Sequence, residues 1–138
     1  MRRVMMLWAG LLAGGAVAQP QGGQSQAGQS QVGQSQQGQT GWIQCRACHS
    51  LEAGAPHKLG PNLAGIIGQP AASRAGFNYS PALKASGLVW DRATLDRWIE
   101  KPSAVLKGHR MVFIGIPDAA RRAALIDFIA SRSPKGGK

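Results

Sequence analysis

Two cysteines, Cys45 and Cys48, are followed at once by His49, and this constrains the 138-residue chain more than any other feature. The stretch Cys45-Arg46-Ala47-Cys48-His49 reads C-x-x-C-H. A small scaffold stapled by disulfides needs several bridges, and one close pair cannot supply them. A disulfide across so short a loop would close little chain and stabilise little. A thioredoxin-like dithiol expects a βαβ setting. Structural zinc takes four ligands, often from a second Cys or His pair, and the other histidines, His57 and His109, are not closely spaced. The spacing suits a clamp. Two thiols one helical turn apart can bond one side of a flat ring, with the next residue held beneath it.

The motif is therefore read as the attachment signature of c-type haem. One haem c is expected, covalently held through Cys45 and Cys48, with the His49 imidazole reaching iron. The second axial ligand is argued by elimination. The four methionines are Met1, Met5, Met6 and Met111. Three of them lie in a segment expected to be removed, which leaves Met111. It sits in Lys107-Gly108-His109-Arg110-Met111-Val112-Phe113, a glycine-containing loop and not a helical stripe. A lone Met is ordinarily a core filler; the haem motif turns the reading toward ligation. His109 is the rival ligand and His57 a weaker one. The choice matters, because Met/His ligation raises the reduction potential.

The rest of the chain divides around this motif. Residues 1–18 read as a secretory signal peptide: Arg2 and Arg3, an apolar stretch from Val4 to Ala13, then the small-x-small site Ala16-Val17-Ala18. An uncleaved membrane anchor is the alternative, although the apolar stretch falls short of the roughly 20 residues that a span requires. Residues 19–39 carry no charge and no aromatic ring, and ten of the 21 are Gln. A Gln-Ser-Gln-x-Gly unit repeats from Gln24 to Gly38. Such a segment buries too little apolar surface to offset its ordering entropy, so a disordered linker is expected, with a reach of about 25 Å. Residues 40–132 form the expected domain, and 133–138 a flexible basic tail. The domain is small for a protein-only core, and a bound prosthetic group would help it.

From Gly41 to Arg132 the sequence resembles a class I cytochrome c of the mitochondrial and cytochrome c2 type. The motifs run in order. After Cys45–His49 comes Lys58-Leu59-Gly60-Pro61-Asn62-Leu63-Ala64-Gly65, matching the family's GPNL-x-G segment. Then follow Gly76-Phe77-Asn78-Tyr79-Ser80, Gly87-Leu88-Val89-Trp90, Leu95-Asp96-Arg97-Trp98-Ile99-Glu100-Lys101-Pro102 and Met111-Val112-Phe113-Ile114-Gly115-Ile116. The resemblance implies that Cys45 and Cys48 hold the haem vinyl groups and that His49 and Met111 are axial ligands. It implies that the Pro61 carbonyl accepts from the second ring nitrogen of His49. It implies that Tyr79 and Trp90 donate to a haem propionate, and that Phe113 shields the Met-side haem edge.

Three positions depart from the family pattern. Gly38 and Trp42 keep the family's Gly-x-x-x-aromatic spacing, but only Ile43 and Gln44 separate Trp42 from Cys45, where the family has three residues. With Thr40 and Gly41 poor helix formers, a short or shifted first helix is expected. Gln69 stands where the family often has a propionate-serving Arg, and Arg74 is the candidate substitute. Trp98 stands where the family commonly has Tyr, so it joins the cofactor-binding residues with an altered hydrogen bond toward the Met side.

The expected fold is all-α, the small cytochrome c fold, with three to five short helices and loops wrapped around a covalently bound haem. Asp91 is placed to cap a helix in which Leu95, Trp98 and Ile99 share a face, ended by Pro102. Asp118 is placed to cap a last helix with Leu125, Phe128 and Ile129 on one face. A short helix is expected within 80–85, and loops from 52 to 78.

The chain offers no nucleophile, base and orienter set, and two filled axial positions leave no open site for substrate. The implied function is that of a monohaem one-electron carrier and not an enzyme. The alternative is a haem enzyme or cytochrome subunit, peroxidase-like, with a labile Met ligand. Sixteen Lys and Arg against six Asp and Glu give a net charge of +10. Lys58, Lys84, Lys101, Lys107 and Arg110 are candidates for a positive face that meets acidic redox partners. A basic chain raises the thought of nucleic acid, but export and haem argue against it. Weak attraction to anionic lipid fits better. A monomer in the periplasm is expected.

Overall fold

The computed structural model describes residues 26–132, in which five helices follow one another: α1 (Gln26–Trp42), α2 (Pro81–Lys84), α3 (Arg92–Glu100), α4 (Pro102–Val105) and α5 (Ala119–Ser131). Among the described residues there is no strand, only an isolated antiparallel bridge between Pro70 and Val89. The fold is the all-α arrangement of short helices and connecting loops that the resemblance implies.

Local chemistry sets most boundaries. The Asp91 carboxylate accepts from the Thr94 backbone N–H at 2.7 Å and starts α3. The Asp118 carboxylate accepts from the Arg121 N–H at 2.9 Å and starts α5. Ser80 does the same for α2, accepting from the Leu83 N–H at 3.2 Å with Pro81 in the first turn. Each side chain satisfies a donor that helix geometry leaves without a partner. Pro102 ends α3 and opens α4, where a missing N–H does no harm.

The core lies where α3, α5 and the loops meet. Ile66, Trp90, Leu95, Trp98, Ile99 and Leu125 are buried together, and Leu125 is fully covered. Arg122 is buried as well. Its guanidinium donates to Asp96 on α3 at 2.7 and 3.2 Å, and to the Ile116 and Pro117 carbonyls at 3.0 and 2.7 Å. It thereby ties α3, α5 and the chain between them into one unit.

The amino-terminal part departs from the sequence reading. Residues 19–39 were expected as a disordered linker with the domain starting at Thr40, yet α1 runs from Gln26 to Trp42. The same finding, a helix of 17 residues, corrects the expectation of a short first helix. Propensity argues against this helix, and packing overrides it. Gly38 is buried, and a Cβ there would lie 2.7 Å from the Phe128 Cβ, so the bare backbone is what lets α1 approach α5. Gly41 sits beside Leu125, and Trp42 packs against Phe128 with ring centroids 6.4 Å apart. The shortened spacing to Cys45 is absorbed by continued turns. Arg46 N–H bonds to the Trp42 carbonyl at 3.0 Å, and His49 N–H to the Cys45 carbonyl at 2.9 Å. The expected signal peptide (1–18), the first part of the linker (19–25) and the basic tail (133–138) lie outside the described residues.

Candidate haem site

Cys45, Cys48 and His49 follow α1 on this winding turn. The turn places the two thiols near one another and swings the His49 ring inward, where it is buried. Neither cysteine is in a disulfide. Burial, with Cys48 nearby, pushes the Cys45 thiol up to about 11. A redox dithiol needs a thiolate and hence a lowered value, so the environment of Cys45 opposes the thioredoxin-like reading.

The three histidines differ in which ring nitrogen is engaged. His49 Nδ1 lies 2.7 Å from the Pro61 carbonyl oxygen. A carbonyl can only accept, so Nδ1 carries the proton and Nε2 presents a bare lone pair. Burial holds the imidazole below its ordinary pKa, with the Lys58 charge acting the same way and the Pro61 contact opposing. His49 is thus neutral and ligand-competent. His57 is the reverse. Its Nδ1 accepts the Asn62 N–H at 2.9 Å, and its Nε2 donates to the Ala75 carbonyl at 2.8 Å. Both nitrogens are consumed in tying two loops together. His109 Nδ1 accepts the Met111 N–H at 3.1 Å, which puts its proton on Nε2. Of the three, only His49 has an unprotonated nitrogen free of the protein.

The segment that carries Met111 is built just as specifically. Trp98, on α3, donates its indole N–H toward the Met111 sulfur, with Nε1 and Sδ 3.3 Å apart. Trp98 is buried between Trp90 and His109, edge-on to each at centroid distances of 5.2 and 5.1 Å. Phe113 is half-buried and, like Met111, packs against the core. Tyr79 is buried edge-on to Phe77 at 4.8 Å. Burial raises its phenol above the usual value, while a backbone hydrogen bond and the charge of Arg74 act the other way. Trp90 and Trp98 thus belong to the buried core, with Cys45, Met111 and Phe113 packed against it, while His49 is tied to Pro61 and Tyr79 interacts with Arg74. Gln69, which replaces the family's Arg, is exposed and contributes its backbone to the Trp90 pairing.

Two features fit a flat, anionic-edged ring. Arg74 donates through Nη2 to the Ala64 carbonyl, while its Nε is buried with no partner. A buried, unpaired guanidinium nitrogen is costly, and a carboxylate on a ligand would satisfy it. Gly60 lies flat against the His49 ring, and a Cβ there would fall 2.6 Å from Nδ1. The residues present therefore fit haem.

Sequence reasoning quoted Gly60 and Asn62 within the GPNL segment without giving either a task. Asn62 proves to be the hub of its loop. Its amide donates to the Glu52 and Ala55 carbonyls at 2.7 and 2.8 Å, and its oxygen accepts from the Ala64 N–H at 2.8 Å. Arg122 was missed entirely, and Gly115 was quoted within the Met111 motif without a task. Gly115, at φ +110°, brings the chain after Met111 against the last carbonyls of α3, where Ile116 N–H bonds to the Ile99 carbonyl at 2.9 Å.

Comparison with known proteins bears on this arrangement. No family model matches the chain. It is 46% identical over 89 residues to cytochrome c2 of Rhodomicrobium vannielii, covering 64% of this chain and 71% of that one. It is 44% identical over 87 residues to cytochrome c2 iso-2 of Magnetospirillum fulvum, covering 63% and 90%. The chain belongs to the cytochrome c family. Among solved structures, cytochrome cH from Methylobacterium extorquens superposes with a TM-score of 0.66 at 35% identity, covering 70% of this chain and 97% of that one. A cytochrome c carries covalent haem c, and Cys45 and Cys48 are the cysteines spaced to hold it in this chain.

Proposed function

We propose that this cytochrome c is a monohaem one-electron carrier of the periplasm, with His49 and Met111 as axial ligands. The observation that carries the reading is the division of histidine tautomers: only His49 offers a bare nitrogen, while His109 accepts the Met111 N–H. Haem iron, when bound, supplies a ferric/ferrous couple whose potential His/Met ligation raises. The protein's part is to hold and to shield. Pro61 fixes the His49 tautomer, as partners of ligating histidines do. Trp98 directs an N–H at the Met111 sulfur and so fixes its orientation. Arg74, Tyr79 and Trp90 would hold the haem propionates, and Phe113 would shield the haem on the Met111 side. With both ligand positions taken by protein, no group is left to bind or activate a substrate.

Export is supported by the leader-like residues 1–18, and among the described residues no helix is long and apolar enough to cross a membrane. Lys58, Lys84, Lys101, Lys107 and Arg110 are all exposed, which supports docking of the monomer to acidic faces of redox partners. The test is the absorption spectrum of purified ferric holoprotein. The weak far-red band of Met-to-iron ligation is expected in the parent and absent from Met111→Ala. A parent without that band overturns the Met111 assignment. Substantial peroxide turnover by the freshly purified parent would overturn the carrier reading.

A further inference from the structure

The turn that presents Met111 is closed by a side chain, and we infer that His109 is the residue that positions the Met111 sulfur. The inference rests on Met111 being a ligand and goes beyond that reading by assigning His109 a task. Gly108, at φ +80°, reverses the chain against Ala82 of α2, where an added Cβ would meet the Ala82 Cβ at 3.3 Å. His109 then folds back so that Nδ1 accepts the N–H of Met111, two residues on, at 3.1 Å. The imidazole stands where an Asn, Asp, Ser or Thr oxygen would close an equivalent turn. Unlike those short side chains it also reaches sideways. Its ring meets Trp98 edge-on at 5.1 Å, and the Trp98 indole N–H is the group directed at the Met111 sulfur.

Backbone and sulfur of one residue are thus held through a single closed circuit. His109 fixes the Met111 amide, Trp98 fixes the Met111 sulfur, and the His109 ring braces Trp98. Met111 is half-buried, flanked by Val112 and Ile114, which project into solvent. The loop gains little from burying its neighbours, so its conformation depends on such specific contacts. His109 therefore acts through Met111 and Trp98 without touching the iron, in place of the rival-ligand role that its position in the sequence suggests.

The test separates the two contacts. His109→Phe keeps a ring against Trp98 and removes the acceptor. His109→Asn keeps an acceptor, with Oδ1 in the place of Nδ1, and removes the ring. Imidazole is titrated into each ferric holoprotein as a competitor for the Met111 position, with the far-red band as the readout, alongside thermal unfolding. Loss of one hydrogen bond predicts imidazole binding about fivefold tighter in His109→Phe than in the parent. His109→Asn is expected to fall between the two. A parent lacking the far-red band overturns the ligand assignment and this inference with it. A parent with the band, and a His109→Phe variant that binds imidazole no more tightly, overturns this inference alone. Lowered melting temperature in both variants with unchanged imidazole affinity would assign His109 to packing only and also overturn it.

Discussion

A single missing methyl group decides how His49 stands. Gly60 offers bare backbone to the imidazole, and the ring sits where a Cβ would be, 2.6 Å from Nδ1. Gly60→Ala must push the ring from the Pro61 carbonyl or shift the loop, a steric strain of about 1–3 kcal/mol. The expected result is a reduced haem-to-protein ratio when the variant is produced in a host with working cytochrome c maturation, measured by haem against protein absorbance. The Cys45, Cys48 and His49 positions were legible in the sequence because contiguous residues create their geometry. Gly60 was not, since its reason is a ring brought to it from eleven positions earlier in the chain. Tyr79 offers a second test at this scale. Its phenol is raised by burial, so the unfolded chain loses that proton at lower pH than the folded one. Stability is then unaffected by Tyr79 below about pH 10 and falls as pH rises through the unfolded value toward the folded one. Tyr79→Phe should flatten that alkaline decline. Tyr79 is the only tyrosine, so phenolate difference absorption reads its titration directly; ionisation at the unfolded value in the folded protein would contradict its burial.

Two helix starts were readable before any coordinates, and one helix was not. The Asp91 and Asp118 caps, followed by apolar residues at helical spacing, mark α3 and α5 by local chemistry alone. In α1 the local chemistry points the other way. Its Gly, Gln and Ser residues favour an unstructured chain, and what orders the helix is a surface contributed from the far end of the sequence by α5. The repeat was read as low complexity, yet its last glycine, Gly38, is the contact point. The consequence is testable. Gly38→Ala would improve an isolated helix by up to about 1 kcal/mol, but here it drives a Cβ to 2.7 Å from that of Phe128. Net destabilisation of about 1–3 kcal/mol is expected, measured by guanidinium unfolding of the holoprotein. Leu125→Ala, at a fully covered site across the same contact, should cost about 2–5 kcal/mol. A Gly38→Ala variant more stable than the parent would mean that α1 does not rest on α5 through this residue.

At the scale of the whole molecule, charge and chemistry have to meet at one face for fast electron exchange. The net charge of +10 identifies a basic protein without saying where its field is strongest. The fold adds that Lys107 and Arg110 are exposed on the loop that carries Met111, beside the outward-facing Val112 and Ile114. That loop was recognisable from its motif, but the company it keeps in space depends on Gly115 and Arg122 anchoring its far end to α3, which no local pattern announces. If encounter is steered to this face, position of charge matters as well as sum. Lys107→Glu and Arg121→Glu make the same change in net charge, one beside Met111 and one at the start of α5, where Arg121 is exposed. With an anionic small-molecule oxidant at low ionic strength, Lys107→Glu should slow oxidation of the reduced protein several-fold more than Arg121→Glu, within the roughly 10–10³ range that steering commands. The gap should close toward 1 M salt, where screening acts within about 3 Å. A cationic oxidant should show the opposite order, with Lys107→Glu the faster variant. Stopped-flow rates across a salt series decide the matter. Equal effects of the two substitutions at every ionic strength would mean that the protein's partners respond to its overall charge and not to the face around Met111.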